Sequence, residues 1–127
     1  MISRREARRQ ALILLYQWDL SGGEIGERYG GEIDPWAREL VEETVLQAAE
    51  LDSRITAASE GWAAERLGVV ERSALRVAIR ELDRGEVPPE VVIDEAVRFA
   101  KRYSSEDAGR LVNGILGRIQ REAAVTE

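Results

Sequence analysis

The chain has 127 residues, 24 acidic against 18 basic, a net charge of −6, and neither cysteine nor histidine. That length suits one domain able to bury most of its apolar surface without staples. The two missing residue types exclude disulfides, thiolate chemistry, Ser-His-Asp and Cys-His nucleophile systems and ordinary zinc sites.

The first predicted element is Ser3 to Leu20, SRREARRQALILLYQWDL. Ser3 followed by Glu6 reads as a capping box, hydroxyl and carboxylate each satisfying an orphaned backbone N–H. The half from Ala11 to Tyr16 is apolar nearly all round, as in a helix enclosed by others. The half before it carries Arg4, Arg5, Arg8 and Arg9 as two i,i+4 pairs, placing the guanidinium groups on neighbouring strips of one exposed surface. They oppose the helix dipole and repel one another, and a broken local rule points to function. The first ten residues are +3 and the remaining 117 are −9. Such asymmetry predicts a basic patch for an anionic partner, most plausibly nucleic acid, beside acidic surfaces for a basic protein.

A Gly- and Glu-rich loop follows, with a short helical turn near Glu24–Tyr29. Asp34-Pro35 then opens a second helix as N-cap and first helical position. Its apolar face runs unbroken through Leu40, Val41, Thr44, Val45, Ala48, Leu51 and Ile55. Gly61-Trp62 and Gly68-Val69 bracket a short helix, with Trp62 expected at the core edge. Val70 to Asp83 forms the next helix, stopped by Gly85. Pro88-Pro89 starts another, with Val92, Ile93, Ala96, Val97 and Ala100 inward. Ser104 or Ser105 caps the last helix, which packs through Ala108, Leu111, Val112, Ile115, Leu116 and Ile119. Gly109, Gly114 and Gly117, each costing about 1 kcal/mol against Ala, predict close approach to a neighbouring helix or ligand. The tail over residues 122–127 is expected to fray.

No strand pattern appears, so the reading is all-α, six to seven helices, one domain over residues 1–127. There is no phosphate-binding loop, no dinucleotide fingerprint and no isolated acid/base pair. An enzyme is not expected, nor a catalytic residue, cofactor or metal. No segment is long enough to span a bilayer and no secretory signal is evident, so a cytoplasmic location is expected.

Three stretches in order resemble the NusB family of bacterial transcription antitermination factors. They are RREARRQALILLYQWDLSG (Arg4–Gly22), RLGVVERSALRVAIREL (Arg66–Leu82) and VPPEVVIDEAVRFAKRYSSEDAGRLVNGILGRI (Val87–Ile119). The first carries the family's small-x-x-x-L-Y-x-W pattern. The third carries V-P-x-x-V-x-I-[ND]-E-A-V, an A-K-x-[FY] turn and a V-N-G-[IV]-L signature. Only Ser21–Gly61 is generic.

The resemblance implies two stacked three-helix bundles and no catalysis. It implies binding of boxA-type single-stranded RNA as a heterodimer with the ribosomal protein NusE. The pair would join other Nus factors on RNA polymerase and support ribosomal RNA transcription. Arg4, Arg5 and Arg8 match the family's basic RNA-binding positions, Arg9 adds a further candidate, and Glu6 stands where some members are basic. Tyr16 and Tyr103 match aromatic positions able to stack on bases. Lys101, Arg102 and Arg110 are expected near the same corner, with Asp107 matching a position linked to antitermination. Glu65 and Glu71 match positions that meet NusE, and Glu81 joins them by its spacing from Glu71 on one helix. The competing reading is an all-helical protein-interaction module, homodimeric or adaptor, without specific RNA recognition.

Overall fold

The computed structural model describes residues 2–60 and 64–126, with Glu65, Val125 and Thr126 described by backbone alone. Trp62 therefore lies outside the described residues. The elements are α1 (Arg4–Ser21), α2 (Pro35–Leu46), α3 (Ala48–Ala58), a 3₁₀ turn (Ala64–Arg66), α4 (Val69–Arg84), α5 (Pro89–Tyr103) and α6 (Glu106–Thr126), with no strand among the described residues.

Helix α4 is the axis: it packs against every other α-helix. Its Val70, Ala74, Leu75, Val77, Ala78 and Ile79 are all buried. Helices α4, α5 and α6 contact one another mutually as one bundle. Helix α1 meets α2, and α2 meets α3, in a second group stacked on the first through α4 and the α1–α5 contact. The chain leaves α4 at Gly85, whose φ of 64° is left-handed, with its N–H bonded to Leu82 O. Lacking a Cβ, glycine takes that conformation without steric cost.

The starts follow the sequence signals. Asp34 Oδ2 accepts from the N–H groups of Trp36 (3.0 Å) and Ala37 (3.2 Å). Ser105 Oγ caps α6 by accepting from Ala108 N at 3.0 Å, which decides between the two serines. At α1, Ser3 Oγ accepts from Glu6 N at 3.1 Å. The reciprocal bond to Glu6 is absent among the described residues.

Three expectations need correction. The long second helix is two helices, broken at Gln47. Thr44 Oγ1 donates to Leu40 O at 2.7 Å, a back-bond that bends helices, and the new axis keeps Leu51 and Ile55 fully buried. Leu111 is exposed, not core. Of the α6 glycines, only Gly109 sits against a neighbouring helix. A Cβ there would lie 2.5 Å from Lys101 Cγ on α5, whereas at Gly114 it would meet nothing within 4 Å and at Gly117 only Arg121, on the same helix.

Candidate nucleic-acid interface

The four arginines of α1 divide by helical phase. Arg8 lies four residues before Leu12 and seven before Leu15, on the stripe that faces α4. It is only 3% exposed. Its Nε and Nη2 donate to Glu81 Oε1 and Oε2, each at 2.6 Å. Two expectations fall together here: Arg8 is not on an exposed basic strip, and Glu81 is not on an acidic partner face. Each neutralises the other inside the fold, in the two-pronged geometry arginine offers a carboxylate.

Arg4, Arg5 and Arg9 remain outside. Arg4 lies over Trp36, its Cζ 4.4 Å from the ring centroid, with Arg8 and Arg84 each at 5.6 Å from the same ring. Arg5 and Arg9, side chains 53% and 50% exposed, donate through Nε to the two oxygens of Glu95 at 2.6 and 3.2 Å. Glu95 itself is buried on α5. It sits within that helix's apolar stripe, between Val92 and Phe99. The terminal amino groups of both arginines carry no hydrogen bond among the described residues.

Beside Glu95 is a recess of about 310 Å³ walled by Arg9, Ile13, Arg98, Phe99, Arg102 and Tyr103. Its aromatic side is a ladder. Tyr16 meets Phe99 edge-on at 6.4 Å, and Phe99 meets Tyr103 at 4.8 Å. Phe99 is buried and anchors the ladder, while Tyr103 stands 47% exposed at its outer end. Tyr16 is half-buried. Tyr103 is therefore accessible to a base, whereas Tyr16 chiefly packs. Arg102 Cζ lies over the Tyr103 ring, 5.6 Å from its centroid, so a stacking base meets a cation at the ring.

The α5–α6 corner is divided. Lys101 Nζ is 3.8 Å from Glu106. Asp107 and Arg110 are exposed and paired with each other across one turn of α6. Arg110 lines a separate recess of about 340 Å³ with Leu111, Gly114, Arg118 and the end of α3. Thus Arg9, Arg102 and Tyr103 are brought together, and Arg110 is not with them.

Of the predicted acidic positions, the side chain of Glu65 lies outside the described residues. Glu71 is in the first turn of α4 and only 8% exposed. It packs against Gly68. Its Oε1 is buried without a hydrogen-bond donor among the described residues. Glu71, expected from the resemblance, and Glu81, added by its spacing, are accordingly both buried and not a solvated stripe.

A second arginine series went unread in the sequence. Arg72, Arg76, Arg80 and Arg84 recur every four residues along α4. Arg72 Nη2 meets Asp19 at 2.8 Å, Arg76 Nη2 meets Asp52 at 2.6 Å, and Arg84 Nη2 meets Glu43 at 2.8 Å. Arg80 Nε also reaches Glu43, at 3.1 Å. The hydrogen bond from Arg84 holds the Glu43 carboxyl below its ordinary value against the opposing effect of burial, and Arg80 adds to it. Asp52 holds Arg76 more firmly protonated than a free guanidinium. These arginines tie α4 to α1, α2 and α3. The strict four-residue spacing was the signal available for them.

Among the described residues no three His, Cys, Asp or Glu side chains are placed to hold a metal ion, and no helix is long and apolar enough to cross a membrane. What the α1–α5 face offers is phosphate neutralisation beside an exposed aromatic ring, the pairing that holds single-stranded nucleic acid.

Residues 5–121 match the model of the NusB family. The transcription antitermination protein NusB of Solibacter usitatus is 38% identical, over 96% of this chain and 91% of its own. A T. maritima NusB structure superposes with a TM-score of 0.85 at 36% identity, covering 95% of this chain and 92% of that one. The NusB chain in a crystal structure of antitermination factors NusB and NusE with dsRNA gives 0.81 at 33% identity, covering 94% and 96%.

Proposed function

The chain belongs to the NusB family, whose members are RNA-binding transcription antitermination factors and not enzymes, and from that membership we propose that it reads boxA-type RNA as a heterodimer with NusE. In this reading the pair joins RNA polymerase with other Nus factors and supports ribosomal RNA transcription in the cytoplasm. The observation that carries it is the recess that brings half-exposed Arg9 together with exposed Tyr103, half-exposed Arg5 being joined to Arg9 through Glu95. Phosphates meet the guanidinium groups and an unstacked base meets the ring. Arg102 borders the same recess, whereas Arg4, over Trp36, and Lys101, beside Glu106, line neither recess on this face.

Glu71 supports a basic partner. A buried carboxylate oxygen with no donor is costly to leave so, and turning the Glu71 carboxylate outward to a lysine or arginine of a ribosomal protein would relieve that cost. The remaining net charge of the chain favours such an encounter and its orientation.

The test is a fluorescence-anisotropy titration of a short boxA-type RNA against a scrambled control, with and without NusE. Preferential binding that tightens with NusE is expected. Equal or absent binding to both RNAs, even with NusE, would instead favour the interaction-module reading.

A further inference from the structure

Glu95 stands out because an acid at the centre of a phosphate-binding surface should weaken it. Its side chain is 5% exposed and grips both outward arginines of α1 by their Nε atoms. A third arginine, Arg98, one turn further along α5, also uses its Nε, on Asp94 at 2.9 Å, in an exposed pair within the same helix. Each of the three thus bonds a carboxylate through Nε, and none of their terminal amino groups carries a hydrogen bond among the described residues. Arg5 and Arg9 are one turn apart and would otherwise repel. Glu95 and Arg98 also border both recesses on this face, the one of about 310 Å³ and a shallower one of about 500 Å³ lined by Arg5 and Val91. The two hollows meet over the Glu95 anchor.

We propose that Glu95 is a positioning residue, fixing Arg5 and Arg9 as a paired clamp for the phosphates of a single RNA strand crossing from one recess to the other. It contributes geometry at the expense of charge. A carboxylate that is both buried and shared leaves two planar forks in fixed orientation, so less side-chain freedom is lost when phosphate oxygens bind. The inference rests on the RNA-reading role above.

Positioning and simple charge predict opposite results for Glu95→Gln. The amide accepts from one arginine and presents its NH₂ to the other, releasing it, while the chain becomes less acidic. Charge alone then predicts tighter RNA binding. Positioning predicts about tenfold weaker binding of the boxA-type RNA, the scale of one lost charge-assisted contact, with discrimination against the scrambled RNA reduced. The assay is anisotropy with the full chain and NusE, with thermal melts alongside. In an Arg5→Ala/Arg9→Ala background, Glu95→Gln should change RNA affinity no further, whereas a merely structural role would lower it equally in both backgrounds.

The second variant, Arg5→Lys/Arg9→Lys, keeps the charge and leaves Glu95 in place. A lysine's one ammonium cannot both hold Glu95 and offer a second fork outward, so binding should again weaken. Tighter or unchanged boxA binding by Glu95→Gln, or an equal loss without the arginines, or no loss in the double-lysine variant, would overturn the proposal. Failure of the wild type to prefer boxA-type RNA would be separately visible, and would remove the RNA reading and this inference with it.

Discussion

Replacing Arg8 by alanine separates a structural arginine from its RNA-facing neighbours. The substitution removes both 2.6 Å hydrogen bonds to Glu81, whose side chain is 2% exposed. A carboxylate left charged and unpaired in the core costs about 3–5 kcal/mol. For a chain of this length, with an unfolding entropy of about 2.1 cal/mol/K per residue, that is a fall in Tm of roughly 10–20 °C. Thermal melts and urea titrations followed by circular dichroism read it directly. Replacing both partners, as in Arg8→Met/Glu81→Leu, should recover much of the loss, because apolar side chains of similar volume often substitute neutrally for a buried pair. RNA affinity of the folded double variant should stay near that of the wild type. An Arg8→Ala protein that melts with the wild type yet binds RNA poorly would refute the buried assignment and return Arg8 to the surface strip.

Glu43 gives a pH signature. Its folded pKa is lowered by Arg84 and Arg80, so its stabilisation is complete above the ordinary value of 4.5 and is lost as pH falls through the lowered one. The difference in urea midpoint between wild type and Glu43→Gln should be largest near neutral pH and shrink below that value; a constant gap would contradict the pairing. Tyr103→Ala should keep the fold and cost about 1–3 kcal/mol of RNA binding, one stacked base. Phe99→Ala should instead destabilise the chain by about 3–5 kcal/mol, and reversed results would sink the ladder's division of labour. Glu71→Gln, nearly isosteric, should weaken NusE binding in calorimetry without lowering Tm, whereas unchanged affinity would remove Glu71 from the partner face.

Periodicity was enough to find α1, α4, α5 and α6, because each has a broad apolar stripe and a marked start or stop. It failed at Gln47, where the stripe runs on but the axis turns at the Thr44 back-bond. Charge reading failed differently. Arg4, Arg5, Arg8 and Arg9 are alike in composition, and what separates Arg8 is Glu81, 73 residues away on α4. The phase relation of Arg8 to Leu12 and Leu15 was the local hint. Glu81 was misplaced for the same reason, since its partner lies on another helix. Glu95 was overlooked as one more acid, although it falls within the inward stripe of α5. Leu111 shows the converse: an apolar residue in register that the packing leaves outside.

The most direct test of the account is the salt dependence of boxA-type RNA binding by wild type and by Arg5→Ala/Arg9→Ala, both with NusE. The slope of log K against log salt should fall by about 1.4 in the variant, two phosphate contacts at about 0.7 each for a single strand. Tm should fall, because Glu95, only 5% exposed, loses both of its partners, so the two slopes are compared well below the variant's melting transition. An unchanged slope would mean that RNA does not cross the α1–α5 face.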